Sequence, residues 1–130
     1  MSVRRIAPEW QNDLAGAHMN RGVLLSNQDQ SSEALADYNE SIRIIRELRD
    51  TMGEQFSPEW QNALAIAFYN LGLLLLSLNK EEEAGQNFLQ SNQLGAELIQ
   101  RFQDQTPDFW RQVFDNSGQQ CQELGLIDVS

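Results

Sequence analysis

The sequence predicts an all-α chain: five helices folded as antiparallel hairpins, one hairpin to every fifty residues, stacked as a short solenoid. The first observation behind this is a duplication. PEWQNDLAGAHMNRGVLLSN at 8–27 returns as PEWQNALAIAFYNLGLLLLS at 58–77, with twelve of twenty positions identical in register. A block repeated at this length is one supersecondary unit that hides its apolar face against a neighbour. The second observation is composition: 130 residues, 41% apolar, 22% charged and only three prolines, as expected for a helical domain of ordinary size.

The first helix is expected over 8–27. Ala7-Pro8-Glu9 supplies a proline preset for the first turn and an acid on the positive end of the dipole, but no capping hydroxyl, so this helix should begin loosely. Asp29 and Asn79, fifty residues apart, belong to the types that tolerate left-handed backbone best after glycine, and they mark the break inside each repeat. Second helices are expected over 31–52 and 80–104. Arg43, Arg46 and Arg49 gather near the end of one, and Glu81, Glu82 and Glu83 crowd the start of the other, both placements that suit the dipole. Ser57-Pro58-Glu59 and Thr106-Pro107-Asp108 add a capping hydroxyl and open helices over 58–78 and 107–124. The resulting division is one domain over 1–130, with repeat one at 8–57, repeat two at 58–106 and a closing helix at 107–124.

Within the second copy the order Phe68, Leu71-Gly72, Leu75, Ala84, Phe88, Ser91 resembles the signature of the tetratricopeptide repeat family: aromatic, Leu-Gly, bulky, Ala, aromatic, small. The first copy holds His18, Arg21-Gly22, Leu25, Ala34, Tyr38 and Ser41, keeping the small residues and exchanging an aromatic and a leucine for polar side chains. The fifty-residue period is similar to the long variants of this family found in large bacterial proteins. Gly72 with Ala84, and Gly22 with Ala34, are expected at the closest approach of the paired helices, where small side chains allow a separation of about 8–10 Å. Trp10, Trp60 and Trp110 recur at the same period and are expected to pack on Leu48, Phe56, Leu98 or Phe102. The third unit stops after one helix; its Gln112, Gln119, Gln120, Gln122 and Glu123 read as the polar face of a closing cap, with Cys121 a small buried hydrophobe at the position of Leu71.

Charge and chemistry narrow the function. Nineteen acids against nine bases give a formal charge of −10, which repels phosphate backbones and anionic headgroups, so neither nucleic acid nor a membrane surface is expected as a partner. There is no run of eighteen or more apolar residues, and the two arginines of MSVRRIAPEW are not followed by an apolar stretch, so neither a span nor a secretory signal is read. One cysteine excludes an internal disulfide and points to a reducing, cytoplasmic setting. His18, the sole histidine, takes the place of Phe68 and reads as a ring filling a helix contact. No phosphate-cradling glycine loop, metal-ligand cluster or nucleophile–base pair is present, so no catalytic residue, cofactor or metal is expected, and the chain does not read as an enzyme.

The resemblance implies a right-handed solenoid in which the first helix of each repeat lines a concave groove that binds an extended peptide or partner protein. The matching residues are Met19, Asn20 and Val23, with Gly16, in the first copy and Ile66, Tyr69, Asn70 and Leu73 in the second. Asn20 and Asn70 recur one unit apart; an asparagine both donates and accepts, so the pair suits either the main chain of a peptide or neighbouring helices of the stack. Family members that clamp acidic C-termini resemble one another in placing lysine and arginine on these faces. Met19, Val23, Asn116 and Gln120 stand there instead, so a free acidic terminus is not the expected ligand. Helix 58–78 is apolar nearly all round: Ile66, Tyr69, Leu73 and Leu76 make either a second buried side or an exposed binding patch. The alternative function is self-assembly, through the open edge of helix 8–27 or this stripe, or membership of a longer array.

Overall fold

A computed structural model describes residues 7–127; the Arg4–Arg5 start and the Ser130 end lie outside the described residues. Five α-helices run in the expected order: α1 Pro8–Asn27, α2 Ser31–Met52, α3 Pro58–Ser77, α4 Glu81–Phe102 and α5 Asp108–Glu123. No strand occurs among the described residues. The chain divides into two compact units, Met1–Phe56 and Ser57–Ser130.

In the first unit α1 and α2 form a hairpin. Asp29 turns the chain at φ 59°, and the Gln30 amide donates back to the Leu25 carbonyl at 2.8 Å, so the last carbonyls of α1 are satisfied while the direction reverses. Asn79 does the same in the second unit at φ 62°, with Lys80 N–H to Leu75 O at 2.9 Å, and Gly125 closes α5 at φ 73°. Each second helix then ends in a short 3-10 turn, Gly53–Gln55 and Gln103–Gln105. The expected helix over 80–104 therefore stops at Phe102, because Gln103 adopts φ 48°, ψ −122° and cannot continue an α-helix.

The helix starts differ as their caps differ. Ser57 accepts the Glu59 amide at 3.2 Å and donates its hydroxyl to the Glu59 carboxylate, which holds that acid below its ordinary range. Ala7 offers no such bond, as the sequence predicts. The Thr106 cap is not realised. The residue preceding α5 is Pro107, in the place that Ser57 holds before α3, and the Thr106 hydroxyl, one residue earlier, is buried without a partner.

The hairpin cores show what the glycines are for. A Cβ built on Gly72 would stand 2.6 Å from Cε1 of Phe88, and one on Gly22 would stand 2.6 Å from Cε1 of Tyr38. The side-chain atoms nearest each glycine are those of an aromatic ring of the second helix, and Ala84 and Ala34 are fully buried as well. In the second unit α5 adds a third layer on α4. Trp110 meets Phe102 edge-on at 5.8 Å, the Phe114 Cβ lies 3.0 Å from where a Gly95 Cβ would be, and the Asn92 amide donates to the Phe114 carbonyl at 3.1 Å. Trp110 thus packs as predicted and Trp60 is half-buried. Trp10 does not pack as predicted. It stands in solvent, because α1 turns its opposite side to α2.

Helix α3 is long and apolar enough to cross a bilayer by length and composition alone, with a mean hydropathy of 1.2 over eighteen residues; half of that window is buried in the protein. Leu64, Ala65, Phe68, Leu71 and Leu75 are core residues, Ile66, Tyr69 and Leu76 are half-buried, and Leu73 is exposed. Its apolar composition is that of a helix covered on several sides.

Candidate binding surface

The predicted groove residues fall into two sets, one per unit. On α1, Asn20 and Val23 are exposed, Met19 is half-buried, and Gly16 has open space around it. On α3, Ile66, Tyr69 and Asn70 are half-buried and Leu73 is exposed. The two asparagines therefore do not present themselves alike, and Asn70 is engaged within the protein.

The second unit contributes a part of this surface that the sequence does not single out. Helix α5 runs beside α3 as well as α4, and it brings the Glu123 carboxylate to bear on Tyr69. The Tyr69 phenol is pushed above its ordinary value, first by burial and then by the Glu123 charge. Its ring leans on Phe88 at 5.8 Å and 54°, which fixes its direction from the α4 side. Half-buried Asn116 and Gln120 come from α5, and the Gln119 amide donates to Glu123 at 3.3 Å. An aromatic face, an apolar side chain, amides and a carboxylate thus share one side of the α3–α5 pair.

A second polar constellation, in the first unit, was not anticipated. Asp37 is buried, with only 4% of its side chain exposed, and accepts two bonds from the Arg21 guanidinium at 2.6 and 2.7 Å and one from His18 Nδ1 at 2.9 Å. An ionised carboxylate only accepts, so His18 carries its proton on Nδ1. The guanidinium holds the Asp37 carboxyl down to about 2; burial opposes this and the His18 hydrogen bond adds to it. His18 is therefore not a ring filling an apolar contact. Where the second copy pairs apolar Phe68 and Leu71, the first pairs His18 and Arg21, and the partner needed to satisfy them stands at Asp37, the place of Asn87. The sign of this was legible: three substitutions between the copies, two toward cations or donors one turn apart on α1 and one toward an anion on the facing α2.

Chemistry of other kinds has little to work with. Cys121 is fully buried and burial pushes its thiol up, away from the reactive thiolate. No group of three or more His, Cys, Asp or Glu side chains disposed to hold a metal occurs among the described residues. A shallow cleft of about 380 Å³ opens between the first turns of α4 and the segment after α5, lined by Glu81, Glu82, Gly85, Leu89, Leu124 and Leu126.

A family profile for the tetratricopeptide repeat matches the chain twice, over residues 15–47 and 65–94. The chain belongs to the tetratricopeptide repeat family. Each match covers most of a hairpin, from the glycine-bearing face of the first helix to the middle of the second, which is the part whose packing is described above. Searches among curated proteins and among solved structures returned no match. Tetratricopeptide repeats generally mediate protein–protein interaction and are typically non-catalytic scaffolds.

Proposed function

We propose that this tetratricopeptide chain is a non-catalytic, cytoplasmic interaction module that binds an extended peptide or a partner protein on the open side of its first-position helices. In the second unit the contact surface is Ile66, Tyr69 and Leu73 of α3 with Asn116, Gln120 and Glu123 of α5; Met19, Asn20 and Val23 are the matching residues in the first. The observation that carries this is the placement of Tyr69. A phenol braced by Phe88, with exposed Leu73 one turn on and Glu123 beside it, is a large amphipathic anchor ringed by hydrogen-bonding groups.

The chemistry selects among peptides. Glu123 and the overall charge of −10 disfavour acidic segments, nucleic acid and anionic membranes, and favour a ligand that sets an apolar residue against Tyr69 and Leu73 with a lysine or arginine near Glu123. A displayed peptide library panned on the protein is expected to enrich that pattern. Leu73→Lys and Glu123→Lys, both at exposed positions, are expected to weaken the enriched peptides by at least about tenfold while leaving the helical spectrum and melting curve in place. Enrichment of acidic peptides, or binding indifferent to both changes, overturns the proposal.

A further inference from the structure

One flank of α1 carries a stripe that the rest of the molecule treats as interior. Trp10, Leu14, Ala17, Arg21 and Leu24 are spaced i, i+4, i+7, i+11 and i+14 and fall on one face of the helix. Trp10 is 67% exposed, Leu14 44% and Leu24 61%. One repeat later the same positions are closed: Leu64 and Ala67 are 0% exposed and Leu74 is 4% exposed. Two repeats later they are Trp110, Phe114, Ser117, Cys121 and Leu124, and it is with Trp110, Phe114 and Ser117 that α5 seats itself on α4. Twice in this chain, then, the stripe is buried or half-buried; on α1 it is open. On α5 the positions matching the α2- and α4-facing sides of α1 and α3 hold Asp115, Gly118 and Gln122.

We propose that α1 pairs with α1 of a second copy of this chain, antiparallel across a two-fold axis at Ala17. The pattern about Ala17 is self-complementary, which a two-fold contact requires. Seven residues to either side stand Trp10 and Leu24, so each tryptophan meets the other copy's leucine. Four residues to either side stand Asp13 and Arg21, so each acid meets the other copy's guanidinium, whose side chain is 64% exposed although it holds Asp37. The smallest side chain of the stripe lies at the axis, where two helices come closest. In this pairing Asn20, three residues from the axis, faces the other copy's Leu14, so on α1 the dimer and a peptide compete for Asn20, whereas the second-unit surface tested through Leu73 and Glu123 is separate and the two proposals can be told apart.

The experiment uses the full chain. Sedimentation velocity from low to high micromolar concentration is expected to show a reversible monomer–dimer equilibrium. Leu24→Glu is expected to raise the dimer Kd by at least about tenfold, because the change enters the contact twice; with its melting curve retained, the loss is one of contact rather than of folding. Ala17→Cys tests the axis without removing any apolar contact. Helices about 8–10 Å apart bring the two Cα atoms to about 3.5–5.5 Å, overlapping the disulfide range of about 4.4–6.8 Å, so mild oxidation should yield a covalent dimer. Asn27→Cys, whose two copies would lie about 30 Å apart in this pairing, should not. Cys121 is buried and silent in both. A monomer at every concentration, a dimer indifferent to Leu24→Glu, or equal cross-linking through residues 17 and 27 overturns the proposal.

Discussion

Replacing Gln103 by glycine is expected to stabilise the protein. Gln103 sits at φ 48°, ψ −122°, and its counterpart one repeat earlier, Gly53, sits at φ 56°, ψ −123°. The turn that links each second helix to the next proline therefore demands a backbone conformation suited to glycine, and only the first copy supplies one. A side chain held in so sparsely populated a region costs about 1–3 kcal/mol. Glycine removes that strain but returns about 0.5–1 kcal/mol of backbone freedom to the unfolded chain, leaving a net gain of about 0.5–2 kcal/mol. For a chain of this size that corresponds to roughly 2–8 °C in Tm. The Arg111 guanidinium contacts the carbonyl of residue 103, a main-chain group that the substitution keeps. Thermal and urea unfolding followed by circular dichroism at 222 nm would read the change. The reverse substitution, Gly53→Gln, isolates the backbone term, since an added Cβ there meets nothing within 4 Å, and should cost about 1–3 kcal/mol. A Gln103→Gly protein no more stable than the parent, or a harmless Gly53→Gln, would refute the reasoning.

The remaining expectations concern the cores and the buried charge. Gly72→Ala puts a methyl 2.6 Å from the fully buried Phe88 ring and should cost about 1–3 kcal/mol in urea unfolding, whereas Gly16→Ala, in open space on the same type of helix, should gain about 0.5–1 kcal/mol. Asp37 has its carboxyl lowered from 3.8 to about 2, so its contribution to stability is complete above pH 3.8 and is lost as pH falls through 2. With Arg21 largely in solvent that contribution is about 1–2 kcal/mol, and an acid titration of stability should show it in the parent and not in Asp37→Asn. The triple change His18→Phe, Arg21→Leu, Asp37→Asn rebuilds the second copy's packing in the first and should recover stability that Asp37→Asn alone loses, as a denaturation cycle would measure. Cys121 should resist a thiol reagent in the native state and react at the rate of unfolding, a comparison that a stopped reaction at several urea concentrations provides.

Local signals were legible without coordinates. Asp29 and Asn79 turn the chain where their shared spacing placed them, Ser57 caps α3, and all five helices begin and end within two residues of the predicted bounds. Each of these is a matter of one residue's φ, one hydroxyl or one periodic run, and such preferences act through the nearest few peptide units. The Thr106 cap failed for a comparable reason: α5 begins in the same register as α3, but the Thr106-Pro107 pair comes one residue early, and a hydroxyl displaced by one position no longer faces the free amides.

What the sequence by itself determined is the repeat, the helices, the family and an interaction role, because periodicity and turn chemistry are written into consecutive residues. The tertiary structure decided which side chains meet. That the Phe88 ring crowds Gly72, that Asp37 gathers Arg21 and His18 from another helix, and that Glu123 comes to Tyr69 all depend on the rotation and tilt of one helix on another. A residue's phase on its own helix says which way it points; only the packing of two helices, a balance of ring, glycine and buried charge summed over the whole contact, says what it finds there.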